Sequence, residues 1–281
     1  MFPSEPGTPL APGTEAGRAG LKALLDDPST ALTGFDFDGT LAPIVADPRA
    51  SAPQPGVVEA LATLSSLVGT VAVITGRPAA TAVRLGGLDR IPDVVVLGHY
   101  GAERWVDGRV VAADPPPGVA LVRAELPAVV DASGAPAGTW IEDKGRSLAV
   151  HTRRADDPDR ALELLSGPLT ELAERADLKV EPGRMVIELR PQGVDKGAAL
   201  TSLVEEKAAR SVLYAGDDLG DLPAFTVVTT LREHGTPGLT VCSSSDEVTA
   251  VAEAADLTVP GPAGLTVFLR ELTARIRGPV A

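Results

Sequence analysis

The sequence has almost no cysteine, no long apolar run and no excess of positive charge. Cys242 is the single cysteine among 281 residues, so no disulfide can form within the chain, and we expect a reducing compartment. No apolar run approaches the roughly 20 residues that cross a bilayer. Residues 1–16 also lack the basic and apolar regions of a signal peptide. We therefore expect a cytoplasmic protein without a membrane partner.

The charged residues are mostly acidic, and the formal net charge is −13 at pH 7. Nucleic-acid-binding proteins normally carry a basic patch, so we expect no nucleic-acid partner. A small phosphorylated substrate is compatible with this charge if a divalent cation lies between the phosphate and the carboxylates that bind it. The content of 44% hydrophobic and 22% charged residues is typical of a globular protein.

Short apolar runs alternate with helical patterns over most of the chain. The runs that we interpret as buried strands are 31–37, 70–75, 93–98, 211–216 and 239–243. The helix-like segments include 16–27, 54–68, 196–209 and 246–254. This alternation predicts a parallel sheet with helices on both faces. Residues 1–16 are rich in Pro, Gly, Ser and Thr, and we expect them to form a disordered tail.

The middle of the chain has a different pattern, which predicts a second domain. Helical patterns at 118–130 and 158–176 are each followed by two strand-like runs, in the order α-β-β-α-β-β. That order is typical of an α+β domain whose strands pair as hairpins. We therefore expect an inserted domain at 107–190 within a core formed by 17–106 and 191–281.

Polar residues follow three of the predicted core strands. Asp36 and Asp38 lie at the end of the first strand, and Thr75, Gly76 and Arg77 lie at the end of the second. An isolated D-x-D is most often a turn or a helix cap. In an open parallel sheet, however, ligands bind at the carboxyl ends of the strands, and a strand-end hydroxyl with a backbone N–H can hold a phosphate oxygen.

A lysine and a third acidic group extend this pattern. Lys196 opens a helix, where it could neutralise a phosphate or be an ordinary solvated lysine. Asp217, Asp218 and Asp221 follow the strand at 211–216, and three carboxylates so close together repel one another unless a cation is bound. A site with only oxygen ligands favours Mg²⁺.

Taken in order, these motifs resemble those of a known superfamily. DFDGT (36–40), Thr75, Lys196 and GDD-x-x-D (216–221) are similar to the four motifs of the haloacid dehalogenase superfamily of aspartate-dependent phosphatases. The stretches GHYGAE (98–103), EDKGRSLAVHTR (142–153) and GRMVIELRP (183–191) resemble signatures of the trehalose-6-phosphate phosphatase family. The resemblance implies an α/β Rossmannoid core with a parallel sheet flanked by helices, and an inserted α+β cap domain.

The resemblance also implies the roles of the core residues. Asp36 would be the nucleophile that forms an aspartyl-phosphate, and Asp38 would be the general acid and base. Mg²⁺ would be bound by Asp36, the carbonyl of Asp38 and the cluster of Asp217, Asp218 and Asp221. Thr75 and Lys196 would hold the phosphoryl oxygens, with Gly76 and Arg77 beside them.

The three signatures imply a further set of substrate-binding residues. In the core they are His99, Gly101 and Glu103; in the cap they are Glu142, Lys144 and Glu188, with Ser147, His151, Arg153, Arg184 and Arg190 as weaker candidates. The chain departs from the family pattern in two places. Tyr100 stands between His99 and Gly101, so either His99 or Tyr100 could take the family's histidine position, and Gly220 replaces a common threonine.

Three functions are consistent with these observations. The first is a Mg²⁺-dependent phosphatase that hydrolyses trehalose 6-phosphate in the last step of trehalose biosynthesis, with functional coupling to a trehalose-6-phosphate synthase. The second is a phosphatase of the same superfamily that acts on sucrose 6-phosphate or a glucosyl-3-phosphoglycerate. The third is a catalytically silent sensor of a sugar phosphate, which we disfavour because Asp36 and the acidic cluster are all present.

Overall fold

A computed structural model of the chain describes residues 11–45, 47–183, 185–244 and 249–278. The chain divides into two compact units, Met1–Ala112 with Asp195–Ala281, and Ala113–Val194. Arg184 and the first ten residues of the predicted tail lie outside the described residues, as do residues 246–248 of one predicted helix. Among the described residues, every helix is too short or too polar to span a bilayer.

The secondary structure of the described residues is as follows. The strands are β1 Ala31–Phe35, β2 Thr70–Ile74, β3 Val95–Gly98, β4 Glu103–Val106, β5 Arg109–Val111, β6 Trp140–Asp143, β7 Leu148–His151, β8 Leu178–Gly183, β9 Val186–Pro191, β10 Ser211–Gly216, β11 Gly238–Ser244 and β12 Leu257–Pro260. The helices are α1 Glu15–Asp26, α2 Val57–Ser65, α3 Ala79–Gly86, α4 Pro117–Ala132, α5 Pro158–Arg175, α6 Lys196–Lys207, α7 Leu222–Glu233, α8 Thr249–Ala254 and α9 Gly261–Arg277.

The larger unit is built on one sheet, with the strand order β12-β11-β10-β1-β2-β3-β4-β5 in the described part of the chain. Pairing is parallel from β12 to β3 and antiparallel from β3 to β5. The predicted α/β fold with a parallel sheet is confirmed. Three strands were not predicted, β4, β5 and β12, because they are short and partly exposed and lack a continuous apolar run.

The central strands are buried on both faces, which explains their nearly continuous apolar sequences. Every residue of β1, β2 and β10 is buried. On one face Phe35 packs in a cluster with residues of α2 and α9, and on the other Tyr214 packs with residues of α6 and α7. The site residues therefore follow strands that are fully packed on both faces of the sheet.

The first described helix of the larger unit, α1, has a capped N-terminus. The hydroxyl of Thr14 accepts a hydrogen bond from the N–H of Gly17 at 2.9 Å, and the N–H of Gly13 donates to the carbonyl of Asp256 at 2.7 Å. Residues 13–16, which the composition assigned to a tail, are thus part of α1 and its N-terminal cap. An N-cap threonine satisfies the first free amides of a helix, so the helix begins earlier than the apolar spacing indicated.

The smaller unit has the predicted element order α-β-β-α-β-β. Its antiparallel sheet has the order β6-β7-β9-β8. Leu148 and Leu189 on one face of this sheet pack with Leu126 of α4 and Leu169 of α5. The unit extends over 113–194 rather than the predicted 107–190, because residues 109–111 add a strand to the sheet of the larger unit.

Candidate active site

Asp36 lies at the end of the central strand of the large sheet. Its N–H donates to the carbonyl of Ala215 at 2.9 Å, which continues the β1–β10 pairing by one residue. The chain then turns at Gly39, where φ is +82°. A Cβ at this glycine would lie 1.9 Å from Oδ2 of Asp217, so the turn brings the backbone directly against that carboxylate. The glycine of the DFDGT motif is needed both for the conformation and for this close approach.

Lys196 links the sequence-distant acidic residues. Its Nζ lies 2.7 Å from Oδ1 of Asp36 and 2.8 Å from Oδ1 of Asp221, and all three side chains are buried. Asp195 caps the N-terminus of α6 by accepting from the N–H of Ala198, which fixes where the lysine leaves the helix. The structure thus brings together the predicted nucleophile, the predicted phosphate-binding lysine and one member of the acidic cluster.

Asp221 is held by four hydrogen bonds. Its Oδ1 accepts from Lys196 and from the hydroxyl of Tyr214, at 2.8 Å each. Its Oδ2 accepts from the N–H groups of Asp217 and Asp218, at 3.0 and 3.2 Å. The carboxylate therefore closes the turn after β10 and positions the ammonium of Lys196. Tyr214 was missed by the sequence analysis, because an apolar strand gives no sign of which aromatic side chain bears a hydrogen bond.

Oxygens of Asp36, Asp217 and Asp221 lie within 4.8 Å of one another. Burial, together with the charges of Asp221 and Asp218, raises the pKa of Asp217 to about 7. Burial also raises the pKa of Asp36 well above its ordinary value, although the ammonium of Lys196 opposes that shift. One ammonium cannot balance this many carboxylates, and the unbalanced oxygen-only group fits a hard divalent cation such as Mg²⁺.

Asp218 differs from the rest of the cluster. Its side chain is 60% exposed, and its Oδ1 accepts from the N–H of Gly220 at 2.9 Å and lies 3.8 Å from Nζ of Lys196. Asp218 thereby caps the short turn that leads into α7. Thr40, which the sequence analysis also missed, donates to Oδ1 of Asp217 at 3.0 Å.

Asp38 forms a bidentate ion pair with Arg77. Nε and Nη2 of Arg77 donate to the two carboxylate oxygens at 2.5 and 2.6 Å, and Nη1 donates to the carbonyl of Pro48 at 2.9 Å. The hydroxyl of Ser51 lies 3.3 Å from Oδ1 of Asp38. Arg77, which was predicted to contact substrate, is therefore bonded to the residue that was predicted to be the general acid and base.

Thr75 directly follows β2, the strand that neighbours the one before Asp36, the predicted nucleophile. Because Phe35 pairs with Val73 in the parallel register, Asp36 and Thr75 leave neighbouring strands at the same edge of the sheet. The hydroxyl of Thr75 accepts from the N–H of Arg77 at 3.2 Å, which shapes the turn through Gly76. Thr75 is buried, so its hydroxyl lies within the site rather than on the surface.

The GHYGAE stretch forms a strained turn after β3. His99 and Tyr100 both have positive φ, +46° and +58°, at an energetic cost of about 1–3 kcal/mol each. His99 is buried with Nε2 3.7 Å from Oε1 of Glu103, and Oε2 of Glu103 accepts from the N–H of Ala79 at 2.8 Å. Gly101 packs against Ala199 of α6. In this arrangement Glu103 bonds the first amide of α3 instead of pointing away from the protein.

The predicted cap residues share one face of the small sheet. The register pairs Glu142 with Ala149, Ala149 with Glu188, and Glu188 with Glu181, and directly paired residues point to the same side. By the alternation of side chains along a strand, the same face carries Lys144, Ser147, His151 and Arg190. The other face carries the apolar residues that pack on α4 and α5.

Each carboxylate on the polar face of the cap sheet has a partner. Glu188 accepts from Nζ of Lys144 at 2.7 Å and from the hydroxyl of Ser147 at 2.6 Å. Nε2 of His151 lies 2.8 Å from Oε2 of Glu142, and the imidazole stacks on Trp140 with ring centroids 4.0 Å apart.

The remaining cap candidates lie apart from these pairs. Arg190 is buried, pairs with Glu181 and donates to the carbonyl of Val194 at 2.6 Å, so it anchors the end of the unit. Arg153 is exposed beyond β7. Glu181 was not singled out in the sequence, because a glutamate in a partly exposed strand resembles any solvated residue.

The chain shares its fold with a solved haloacid dehalogenase-like hydrolase from Bacteroides thetaiotaomicron, with a TM-score of 0.54 at 17% identity, over 86% of this chain and 99% of that one. A solved C-terminal domain of Candida albicans trehalose-6-phosphate phosphatase shares the fold with a TM-score of 0.73 at 24% identity, over 93% of this chain and 97% of that one. The trehalose-phosphatase family model matches residues 34–261, so the chain belongs to that family.

Two curated relatives show the same relationship in sequence. A probable trehalose-phosphate phosphatase of Sinorhizobium fredii is 36% identical over 236 residues, which are 80% of this chain and 84% of the relative. The trehalose-phosphate phosphatase of Mycobacterium tuberculosis is 35% identical over 254 residues, 86% of this chain. The chain spans 61% of the length of that mycobacterial relative.

Proposed function

We propose that this chain is a Mg²⁺-dependent phosphatase that hydrolyses trehalose 6-phosphate to trehalose and phosphate, the last step of trehalose biosynthesis. The observation that carries the proposal is the buried carboxylate of Asp36, held by Lys196 beside an oxygen-only cluster, in a member of the trehalose-phosphatase family. We also propose that the enzyme acts in the cytoplasm and is functionally coupled to the synthase that makes its substrate.

In the first step, the carboxylate of Asp36 attacks phosphorus. A bond forms between an oxygen of Asp36 and phosphorus, and the bond between phosphorus and the sugar oxygen breaks. Lys196 occupies Oδ1 of Asp36 and orients the carboxylate. Its ammonium also lies where it can interact with the negative charge of the phosphoryl oxygens, together with the hydroxyl of Thr75.

Asp38 handles the protons of both steps. It gives a proton to the departing sugar oxygen and then takes one from the water that attacks the phosphorus of the aspartyl-phosphate. The second attack releases phosphate and restores Asp36. Arg77 donates to both oxygens of Asp38, and this bidentate geometry fixes the orientation of the carboxyl group. Arg77 therefore sets the position from which Asp38 acts.

The acidic cluster has the composition of a cation site. Asp36 and Asp217 are the residues that we expect to ligate Mg²⁺ directly, with the carbonyl of Asp38, because the oxygens of Asp221 already accept four hydrogen bonds. When bound, the ion would neutralise the repulsion between the anionic nucleophile and the anionic ester. We expect Asp221 and Asp218 to hold the turn that positions Asp217.

Sugar recognition is assigned to the polar face of the cap sheet. Glu142, Lys144 and Glu188 offer charged donors and acceptors, with which proteins hydrogen-bond sugar hydroxyls strongly. The pairs Lys144–Glu188 and His151–Glu142 hold these side chains in place before a ligand binds, so less side-chain entropy is lost when a disaccharide binds.

The proposed function is tested by phosphate release from trehalose 6-phosphate, glucose 6-phosphate and sucrose 6-phosphate, each with Mg²⁺ or with EDTA. We expect Mg²⁺-dependent turnover that is fastest on trehalose 6-phosphate and is abolished in Asp36→Asn. Faster turnover of another sugar phosphate would contradict the substrate while leaving the core chemistry intact. No turnover of any of the three, with retained binding, would favour a sensor.

A further inference from the structure

The turn after β3 is bonded to the loop that follows β2. The N–H of Tyr100 donates to the carbonyl of Thr75, and the N–H of His99 donates to the carbonyl of Arg77, both at 2.9 Å. These two bonds flank Gly76. The Thr75–Arg77 loop, which we assign to phosphate binding, and the turn that carries Tyr100 therefore form one connected structure.

The phenol of Tyr100 lies directly against Gly76. A Cβ built on Gly76 would be 2.6 Å from Oη and 2.7 Å from Cζ of Tyr100, so a larger residue at position 76 would displace the ring. The glycine after Thr75 thus makes room for the hydroxyl end of a tyrosine. Tyr100 is half-buried, whereas His99 is only 3% exposed.

His99 faces a different part of the unit. Its Nε2 lies 3.7 Å from Glu103, and the same carboxylate bonds the N–H of Ala79 at the start of α3. The two adjacent residues thus have separate environments: the histidine lies beside a helix terminus and the tyrosine at the Thr75–Arg77 loop. Two consecutive residues with positive φ, which nonglycine residues rarely adopt, maintain this arrangement.

We propose that the hydroxyl of Tyr100 donates a hydrogen bond to an oxygen of the bound phosphoryl group, in the place where the family signature has histidine. This inference rests on the proposed phosphatase function. A phenol is a neutral donor at pH 7, and phosphoryl oxygens only accept, so their chemistry matches. Tyr100 would thereby join Thr75 and Lys196 as a group that touches the transferred phosphoryl.

The test compares Tyr100→Phe, Tyr100→His and wild type on trehalose 6-phosphate and on p-nitrophenyl phosphate, an ester without sugar. Tyr100→Phe keeps the ring on Gly76 and removes only the hydroxyl. We expect kcat/KM to fall by roughly tenfold to a hundredfold, as for other hydrogen bonds to charged groups, and to the same extent on both esters. Tyr100→His restores a donor, tolerates positive φ, and should keep most of the activity.

Three results would overturn the proposal. A loss on trehalose 6-phosphate alone would place the hydroxyl on the sugar, and no loss on either ester would leave it without a role in turnover. Equal losses in both variants, together with a lower Tm, would mean that the tyrosine only packs. If the wild type hydrolyses p-nitrophenyl phosphate but not trehalose 6-phosphate, the proposed substrate fails, and the p-nitrophenyl phosphate measurements still decide the role of Tyr100.

Discussion

Charge is balanced very differently in the core site and on the cap sheet. In the core, Asp36, Asp217, Asp218 and Asp221 surround the single ammonium of Lys196. On the cap sheet, Glu188 pairs with Lys144, Glu142 with His151, and Glu181 with Arg190. The described core site therefore has an excess of negative charge, whereas each of these cap carboxylates already has a partner. This difference suits ionic phosphoryl chemistry in one unit and the recognition of uncharged hydroxyls in the other.

The strongest test of the core is removal of the nucleophile. Asp36→Asn keeps the size of the side chain and loses the attacking oxygen, so we expect kcat to fall by at least about a thousandfold on any phosphate ester. Steady-state phosphate release measures this, with Asp26→Asn on the exposed surface of α1 as the control. Residual activity within tenfold of wild type would show that another residue attacks phosphorus.

Removing the ammonium of Lys196 should damage the core more than any change on the cap. Lys196→Met leaves buried carboxylates without their partner, and loss of one member of a buried pair typically costs 3–5 kcal/mol, so we expect destabilisation by about that amount. Urea denaturation in EDTA measures the change in the free energy of unfolding. Lys207→Met, at the exposed end of the same helix, is the control. Adding Asp36→Asn to Lys196→Met should restore part of the stability. If the double variant instead loses the sum of the two single-variant losses in the free energy of unfolding, the two side chains do not stabilise the fold through their mutual charge interaction.

The excess negative charge also predicts how pH and metal act on stability. The pKa of Asp217 is raised to about 7, so the folded state holds this proton more tightly than the unfolded chain does. Its stability contribution is therefore present below about pH 4 and is lost as pH rises through 7, by a few kcal/mol at most. We expect Mg²⁺ to raise Tm more at pH 8 than at pH 5. Scanning fluorimetry with EDTA or with Mg²⁺ measures Tm at both pH values. An equal gain in Tm from Mg²⁺ at both pH values would contradict the prediction. The same holds if Asp217→Asn leaves the pH dependence of that gain unchanged.

The cap should show a smaller and more selective effect. Glu188→Gln weakens the bonds to Lys144 and Ser147, and we expect kcat/KM for trehalose 6-phosphate to fall by roughly tenfold to a hundredfold. Turnover of p-nitrophenyl phosphate should fall far less, because that ester has no sugar to recognise. Glu171→Gln, on the exposed surface of α5, is the control. Equal losses on both esters would contradict the proposal that the core unit transfers the phosphoryl group and the cap unit recognises the sugar.

The parts of this molecule that the sequence predicts are those encoded by local pattern. The buried strand before Asp36 and the alternating elements of the cap follow from apolar spacing alone, and both are confirmed. The strands β4, β5 and β12 were missed, because partly exposed strands carry no distinct period. The roles of the site residues stay predictions, although the structure brings Asp36, Lys196 and Asp221 into contact.

The pairing of site residues could not be predicted from sequence. Arg77 and Asp38 are 39 residues apart, and only the parallel pairing of β1 and β2 makes them neighbours. The bond from Tyr214 to Asp221 likewise depends on which way one turn folds. Which of His99 and Tyr100 lies at the Thr75–Arg77 loop depends on their two positive φ angles. Nonglycine residues rarely adopt such angles, so the sequence does not predict them.

The central claim is that Asp36 carries the phosphoryl group during turnover. The most direct measurement is rapid-quench mass spectrometry of the peptide that contains Asp36, taken from wild type and Asp36→Asn mixed with trehalose 6-phosphate and Mg²⁺. We predict one phosphoryl group on Asp36 that appears and decays within the first turnover, and none in the variant. Release of phosphate by the wild type without any labelled peptide would contradict the account.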